Sequence, residues 1–135
     1  MTTLPPTGPF SRFVFNSRQI KPDGRVLPAA FLPPNKDPTA TSIAMHDDRA
    51  EDQIWEDGRA IERLAPTPGR HLVGRATADV MDAIRSNLSV ERDETPPNRL
   101  HHANLVHWAL EKEKRLFQAT ILADASKGVL SPDCR

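Results

Sequence analysis

Alternation of apolar and polar positions predicts three strands in the first third of the chain, because successive side chains of a strand point to opposite faces. The alternating stretches are residues 12–15, 26–32 and 41–46. The side chains expected on their buried faces are Phe13, Phe15, Ile43 and Met45. This part of the chain is therefore predicted to be β structure.

The first two strands are joined by a turn sequence, Lys-Pro-Asp-Gly, at residues 21–24. Proline presets φ for the turn, and Asp-Gly tolerates the positive φ that a tight reversal requires. Residues 12–32 are therefore predicted to form a hairpin. Pro28 has no backbone donor, so its strand should lie at an edge or beside a bulge.

The next pattern is typical of an amphipathic helix. One apolar stripe at helical spacing contains Ile54, Trp55, Gly58, Ile61, Leu64 and Ala65. Glu51 and Asp52 lie at the start of the helix, where its dipole favours negative charge. Pro66 and Pro68 follow the stripe and are expected to end the helix.

Shorter patterns predict that strands and helices alternate in the second half of the chain. Residues 71–75 and 88–91 are predicted strands, and residues 92–99 are a polar loop. Thr77 is expected to cap a short helix between the two strands. The apolar side of that helix consists of Val80, Met81, Ile84 and Leu88.

The last part of the chain allows two interpretations. Residues 103–108 are predicted to form a sixth strand, followed by a helix over residues 109–124. The broad apolar side of this helix would contain Leu110, Leu116, Phe117, Thr120, Ile121 and Ala123. The alternative is one long helix over residues 105–124, because alternation over six residues is a weak signal for a strand.

Together these elements predict an α+β fold, with a single, mostly antiparallel sheet and two or three amphipathic helices packed against it. Residues 11–125 would form one domain, with a flexible lead-in at residues 1–10 and a C-terminal tail at residues 126–135. A length of 135 residues is ample for a single hydrophobic core.

The composition argues against several classes of protein. The chain has 18 basic and 18 acidic residues, so it lacks the basic excess of a protein that coats nucleic acid, although a local basic patch stays compatible with this balance. The single cysteine, Cys134, excludes an intramolecular disulfide and a Cys-rich zinc module. No apolar run approaches the ~20 residues that cross a bilayer, and the N-terminus lacks a secretory signal, so a cytoplasmic protein without membrane contact is expected.

Residues 98–108 contain three of the five histidines, His101, His102 and His107. Structural zinc normally has four protein ligands, and catalytic zinc has three. A strand would direct His102 and His107 to opposite faces, and a spacing of five or six residues does not repeat a face of a helix. We therefore expect no metal site and no cofactor.

A polar ligand site is a better interpretation of this stretch. The face shared by alternate residues of the strand would consist of His102, Asn104, Val106 and Trp108. Imidazole exchanges a proton near neutral pH, and an amide both donates and accepts hydrogen bonds. Arg12 and Arg75 are candidate anchors for a phosphate or carboxylate that would bind near His102 and Asn104. The alternative is that His102 and Asn104 satisfy backbone groups of a loop and that the arginines are solvated.

No motif of a known catalytic class is present, since the phosphate loop, GxGxxG, HExxH, GxSxG and CxxC patterns are all absent. The first hypothesis is a small binding or regulatory accessory module that acts through a protein partner or a phosphate-bearing ligand. The second is a small enzyme acting on a nucleotide or nucleic acid, with His102 as acid/base and Arg12 or Arg75 as anion anchors. A DNA-binding regulator ranks last, because strands separate the predicted helices.

The order of several short segments resembles a set of small bacterial proteins of unknown function that is associated with mobile or defence-related gene neighbourhoods. The segments are residues 13–15 (Phe-Val-Phe), 28–34 (Pro-Ala-Ala-Phe-Leu-Pro-Pro), 54–55 (Ile-Trp), 74–76 (Gly-Arg-Ala) and 102–104 (His-Ala-Asn). The resemblance covers about residues 10–125. It implies a bacterial cytoplasmic accessory protein and carries no catalytic or binding residue over to this chain.

Overall fold

The computed structural model describes residues 6–34, 39–64, 71–96 and 98–132. Its strands are β1 (Pro9–Val14), β2 (Ala40–Met45), β3 (Gly74–Asp79), β4 (Ser89–Arg92), β5 (His102–Val106) and β6 (Lys127–Leu130). Its helices are α1 (Glu51–Leu64), α2 (Val80–Arg85) and α3 (Lys112–Ala125). The strands form one six-stranded sheet in the order β4-β5-β2-β1-β3-β6, and each neighbouring pair is antiparallel. The predicted α+β fold with a single antiparallel sheet and packed helices is confirmed.

One face of the sheet packs against α2, α3 and a short 3-10 helix at Pro28–Ala30. Alternation directs Phe10 of β1 and Met45 of β2 to this face, where they are paired across the two strands and have no exposed surface. Leu105 of β5 and Leu122 of α3 complete the centre of this larger core.

The opposite face of the sheet is covered in part by α1. Its core is smaller and consists of Phe13, Ala44, Ile54, Trp55 and Leu72. Gly58 allows the close approach, because a Cβ at this position would lie only 2.6 Å from the ring of Phe13. The helix therefore lies directly on β1, and its first turns are held against the sheet.

The predicted hairpin over residues 12–32 is wrong, although its turn is confirmed. Gly24 has a φ of +91° and donates its backbone N–H to the Lys21 carbonyl at 2.9 Å. Beyond this turn only an isolated bridge joins Ile20 to Val26, and Pro28 starts the 3-10 helix. Proline lacks the donor that a ladder needs and suits the first helical turn, so β1 pairs with β2 and β3 instead.

The helix after β3 also begins differently from the prediction. The strand runs from Gly74 to Asp79, so Thr77 lies within it and caps nothing. Asp79 caps α2 by accepting from the Met81 N–H, and the Asp82 carboxylate accepts from the Asp79 N–H. Of the predicted apolar side, Val80 and Leu88 are buried, but Met81 and Ile84 are about half exposed.

The strand predicted near the end of the chain is confirmed, and the long-helix alternative is wrong. β5 covers residues 102–106, with Ala103 and Leu105 in the larger core, and α3 begins six residues later. Trp108 was expected on the face of His102, but it packs in the core with Leu105. His107 has a φ of +72°, and this left-handed residue ends the alternation before Trp108.

The apolar side predicted for the last helix is only partly correct. Ala123 is buried, but Leu116 and Phe117 are 49% and 67% exposed. The buried side of α3 contains Gln118, Ala119, Leu122 and Ala123. Small alanines let α3 approach the sheet closely, and the larger side chains are left at the rim.

The sheet extends past both limits expected for the domain. β1 begins at Pro9, within the expected lead-in, and β6 forms after residue 125, within the expected tail. None of the helices in the described ranges is both long and apolar enough to cross a membrane. The residues Ala65, Pro66, Pro68 and Cys134, used in the sequence analysis, lie outside the described residues.

Candidate functional site

The gap between β1 and β2 creates space for a site. The two strands pair only at Phe10–Met45 and Ser11–Ala44, whereas β1 pairs with β3 along its whole length. Arg12 spans the gap where β1 and β2 diverge. Its Nη1 donates to the Ser42 carbonyl at 3.0 Å and its Nε to the Ala30 carbonyl at 3.3 Å. These bonds place a fixed positive charge beside the gap.

A pocket of about 310 Å³ lies between this gap, α1 and the segment that precedes β5. Its lining consists of Arg12, Phe13, Phe15, Ser42, Ile43, Ala44, Asp57, Ile61, Leu64, Asn98, Arg99, Leu100 and His102. Its volume is at the lower end of the range of small-molecule sites. We refer to it as the α1 pocket.

Apolar side chains form the larger part of the lining of the α1 pocket. Phe13 is buried beneath the pocket, whereas Ile61, Leu64 and Leu100 are 36%, 75% and 68% exposed. Ile61 and Leu64 belong to the stripe that predicted α1, and they extend past the covered part of the sheet. Exposed apolar groups around one concavity are typical of a binding surface.

A buried carboxylate separates two arginines at one end of the pocket. Asp57 of α1 is 6% exposed, and its carboxylate lies 2.8 Å from Arg49 Nη2 and 3.6 Å from Arg99 Nη2. Arg49 also donates to the carbonyls of Met45 and His46 at the end of β2. The Arg99 side chain is 46% exposed and makes no hydrogen bond with the described residues. The described lining of the pocket therefore contains two guanidinium groups, those of Arg12 and Arg99, and one carboxylate, that of Asp57.

His102 lines the same pocket and is held in one tautomer. Its Nδ1 lies 2.8 Å from the Asp93 carbonyl, which accepts a hydrogen bond and therefore assigns the proton to Nδ1. In the neutral ring Nε2 is then a hydrogen-bond acceptor. The alternative expectation, that His102 and Asn104 satisfy backbone groups of the loop, is correct for His102, which also lines the pocket.

The structure brings together two of the four predicted site residues. Arg12 and His102 both line the α1 pocket. Asn104 lies on the same sheet face as His102, between Ser42 of β2 and Glu91 of β4, but outside the lining of the pocket. That these residues bind a ligand stays a prediction.

Arg75 lies elsewhere, between β3 and α1. It is 3% exposed, and its Nη2 donates to both carboxylate oxygens of Glu51 at 2.8 Å. Its guanidinium lies over the ring of Trp55, and its Nε and Nη1 have no hydrogen-bond partner among the described residues. Arg75 therefore holds α1 on the sheet and is not an anchor of the α1 pocket.

Sequence reasoning missed Asp57 and Arg99. Asp57 lies between Ile54 and Ile61 at the spacing of the apolar stripe, so an acidic residue on the buried side of α1 was a usable signal. Arg99 and Leu100 precede β5 in a polar loop, where no periodicity indicates which side chains turn inward. Only the path of the chain brings them to α1.

A second polar cluster lies under the start of α1. Ser11 Oγ is 2.7 Å from His46 Nε2 and 3.1 Å from Thr77 Oγ1. A serine hydroxyl bonded to an imidazole is the arrangement of a nucleophile and its base, but Ser11 has no exposed surface that a substrate could reach. Burial, followed by the positive charge of Arg75, lowers the pKa of His46. The cluster therefore provides hydrogen-bond partners for the buried Ser11 hydroxyl.

A third cluster positions the segment that carries Arg99. Asp47 binds both terminal nitrogens of Arg92, and its Oδ2 lies 2.5 Å from His101 Nδ1. The Arg92 and His101 contacts lower the pKa of Asp47 to about 2, with the hydrogen bond from Arg92 as the largest cause. The Met45 N–H donates to the His101 carbonyl at 2.8 Å. These bonds hold the wall of the α1 pocket against the end of β2.

The described residues bring no three His, Cys, Asp or Glu side chains together as a metal ion would require. The absence of a metal or cofactor stays a prediction from the sequence.

No protein-family model matches this chain, and the comparisons with curated proteins and with solved structures found no significant match. The resemblance to small bacterial proteins of unknown function therefore stays a prediction. The function is inferred from the α1 pocket alone.

Proposed function

We propose that this protein is a small binding or regulatory module that takes an amphipathic anion in the α1 pocket. The observation that carries the proposal is the combination of apolar side chains with the guanidinium groups of Arg12 and Arg99 in one concavity of about 310 Å³. The apolar body of the ligand contacts Phe13 and Ile61. Its carboxylate or phosphate binds Arg99.

The ion pair between Arg99 and Asp57 is weak, so Arg99 is able to bind such a ligand. The distance from Arg99 to Asp57 is 3.6 Å, and the arginine is half exposed, so this pair contributes little to stability. Asp57 keeps its closer pair with Arg49 at 2.8 Å when Arg99 turns to the ligand. No carboxylate is left unpaired by the exchange.

The proposal is tested with two fluorescent probes of the same shape and different charge. One is 1-anilinonaphthalene-8-sulfonate, an amphipathic anion, and the other is N-phenyl-1-naphthylamine, which lacks the sulfonate. We expect saturable binding of one sulfonate probe per chain. Arg99→Gln should weaken it by at least about tenfold, because a hydrogen bond to a charged group contributes about 1.5–3 kcal/mol. Binding of the neutral probe should be unchanged.

Two further variants locate the probe. Ile61→Glu places a charge among the apolar side chains and should abolish binding of both probes. Arg85→Gln removes an arginine of α2 that lies outside the pocket lining and whose side chain is 70% exposed, and it should leave both affinities unchanged. Sulfonate binding that is equal in Arg99→Gln and the wild type contradicts the proposal.

A second candidate function is a small enzyme on a nucleotide or nucleic acid, and the tautomer of His102 favours it. With Nδ1 bonded to the Asp93 carbonyl, Nε2 of the neutral ring is a base at the edge of a pocket that also contains arginines. Phosphodiester or phosphomonoester hydrolysis by the wild type that is lost in His102→Gln would favour the enzyme. Equal background rates in both proteins favour the binding module.

A protein partner, a local basic patch for nucleic acid and a cytoplasmic location stay predictions from the sequence. The protein-partner hypothesis is supported by a second compartment that adjoins the α1 pocket.

A further inference from the structure

A second compartment adjoins the α1 pocket on the other side of the Arg99–Asp57 ion pair. It has a volume of about 450 Å³ and shares Asp57, Arg99 and Leu100 with the α1 pocket. Its remaining lining comes from Arg49, Gln53, Glu56 and His101. The two concavities therefore meet at the residue that binds the anion.

The two compartments are lined by different kinds of residue. Leu100 is the single apolar residue among the described residues that line the second one, whereas apolar residues dominate the first. Carbon atoms nevertheless form most of the surface of the second compartment. The Gln53 amide both donates and accepts hydrogen bonds, and the Glu56 carboxylate accepts them. The ion pair with Arg63 lowers the pKa of Glu56, so it is a charged acceptor at neutral pH. The guanidinium groups of Arg49 and Arg99 balance the carboxylates of Asp57 and Glu56 in this compartment, so it suits a group without net charge.

We infer that the ligand of this site is the carboxy-terminal segment of a peptide whose last residue has a large apolar side chain. The inference rests on the proposed function, because it places the anion of the ligand at Arg99. The apolar side chain fills the α1 pocket, the terminal carboxylate binds Arg99, and the preceding peptide groups contact Gln53 in the second compartment.

A peptide terminus fits this site because three groups diverge from its last Cα, one for each of three regions of the site. At the Cα of a terminal residue, the carboxylate, the side chain and the amide diverge from one atom. The site presents three matching regions around one point: a guanidinium, an apolar pocket and a compartment without net charge that contains the Gln53 amide. A fatty acid or an aryl phosphate carries its anion at the end of the molecule and leaves the second compartment unused. Capture of a terminal carboxylate is a recurring mode of peptide recognition.

Three compounds separate the contributions of the two compartments. They are N-acetyl-Gly-Gly-Phe with a free carboxylate, its C-terminal amide, and 3-phenylpropionate, which has the ring and the carboxylate without the peptide groups. Calorimetric titration of the full chain should show that the free acid binds at least about tenfold more tightly than either of the other two. The free acid should also displace the sulfonate probe from the α1 pocket.

Variants of Gln53 test the second compartment. Gln53→Ala should lower the affinity for N-acetyl-Gly-Gly-Phe to that of 3-phenylpropionate and leave the latter unchanged. Gln53→Glu is a second variant that keeps the oxygen accepting from the Ala50 N–H at 3.1 Å and removes the amide donors. Gln19→Ala is the matched control, because Gln19 lies outside both compartments.

The outcomes distinguish this inference from the proposed function. If 3-phenylpropionate binds as tightly as the free-acid peptide, the peptide inference is overturned while the amphipathic-anion site stands. If the amide binds as tightly as the free acid, the carboxylate does not bind Arg99 and the inference is overturned as well. If neither the compounds nor the sulfonate probe bind, both proposals are overturned.

Discussion

The guanidinium of Arg75 lies over the ring of Trp55, 4.6 Å from its centroid, and this contact joins β3 to α1. Both residues are less than 5% exposed. Glu51 in the first turn of α1 binds the same guanidinium. A desolvated cation over an indole contributes about 2 kcal/mol, so the start of α1 is anchored while its other end overhangs the α1 pocket.

Trp55→Ala should lower the free energy of unfolding by about 3–5 kcal/mol. The substitution removes a large buried ring, leaves a cavity under α1 and takes away the surface on which Arg75 lies. Urea unfolding followed by circular dichroism measures the change. Leu110→Ala is the control, because Leu110 is 95% exposed and its removal should cost less than about 0.5 kcal/mol. An unchanged midpoint for Trp55→Ala would show that Trp55 is not in the core.

Asp57→Asn should destabilise the protein by about 3 kcal/mol, because it leaves the nearly buried Arg49 without its counter-charge. Asp52→Asn is the matched control, since this acid is on the same helix and exposed. The measurement is again urea unfolding at neutral pH. Equal stability of the two variants would mean that the Arg49–Asp57 pair is not formed in solution.

The Asp47 carboxylate should make the protein sensitive to acid. Its pKa is lowered from 3.8 to about 2 in the folded state, chiefly by the hydrogen bond from Arg92. A lowered folded-state pKa means that the stabilisation is fully present above about pH 4 and is lost as the pH falls towards 2. The difference in urea midpoint between the wild type and Asp47→Asn should therefore be largest at pH 5 and shrink by pH 2. A difference that is constant from pH 5 to pH 2 contradicts this assignment.

The pKa of His46 should give a second dependence of stability on pH. Burial and the charge of Arg75 lower it below 6.5, so the unfolded chain takes up a proton before the folded one does. Stability is then greatest above pH 6.5 and falls as the pH drops below that value. His46→Gln should remove this part of the dependence between pH 7 and pH 5. An NMR titration that places the His46 pKa above 6.5 would refute it.

His102 and Asn104 should differ in their effects, although they share one face of β5. Asn104→Ala should change the unfolding free energy by no more than about 0.5 kcal/mol and leave probe binding unaffected, because the side chain is half-buried and outside the α1 pocket. His102→Ala removes both a bond to the Asp93 carbonyl and part of the pocket lining. It should lower both stability and affinity for the sulfonate probe. If Asn104→Ala lowers stability and probe affinity more than His102→Ala does, the α1 pocket is not the site.

Elements with a strong local pattern were predictable. Ile43 and Met45 alternate in β2 and are both buried, and the stripe through Ile54 and Trp55 located α1. The failures occur where a long-range contact or one backbone residue decides the outcome. The hairpin gave way to pairing of β1 with β3, in which Ser11 pairs with Thr77, 66 residues away in the chain. The left-handed His107 redirected Trp108.

The candidate site could be predicted only in part. Arg12 and His102 were chosen for their chemistry, and the fold places both in one pocket. Arg75 has the same chemistry, but its position on β3 buries it against Trp55. Arg99 had no local signal, because a loop residue has no periodicity from which its direction follows.

The sequence by itself determined the class of fold, the antiparallel sheet and the positions of most strands and helices, because apolar periodicity and turn residues act over short distances. The tertiary structure decided which strands are neighbours, that β1 and β2 diverge after two pairs, and that Asp57 meets Arg99 at one end of the α1 pocket. These relationships join residues far apart in the chain. They depend on how whole elements pack, and no local pattern encodes that packing.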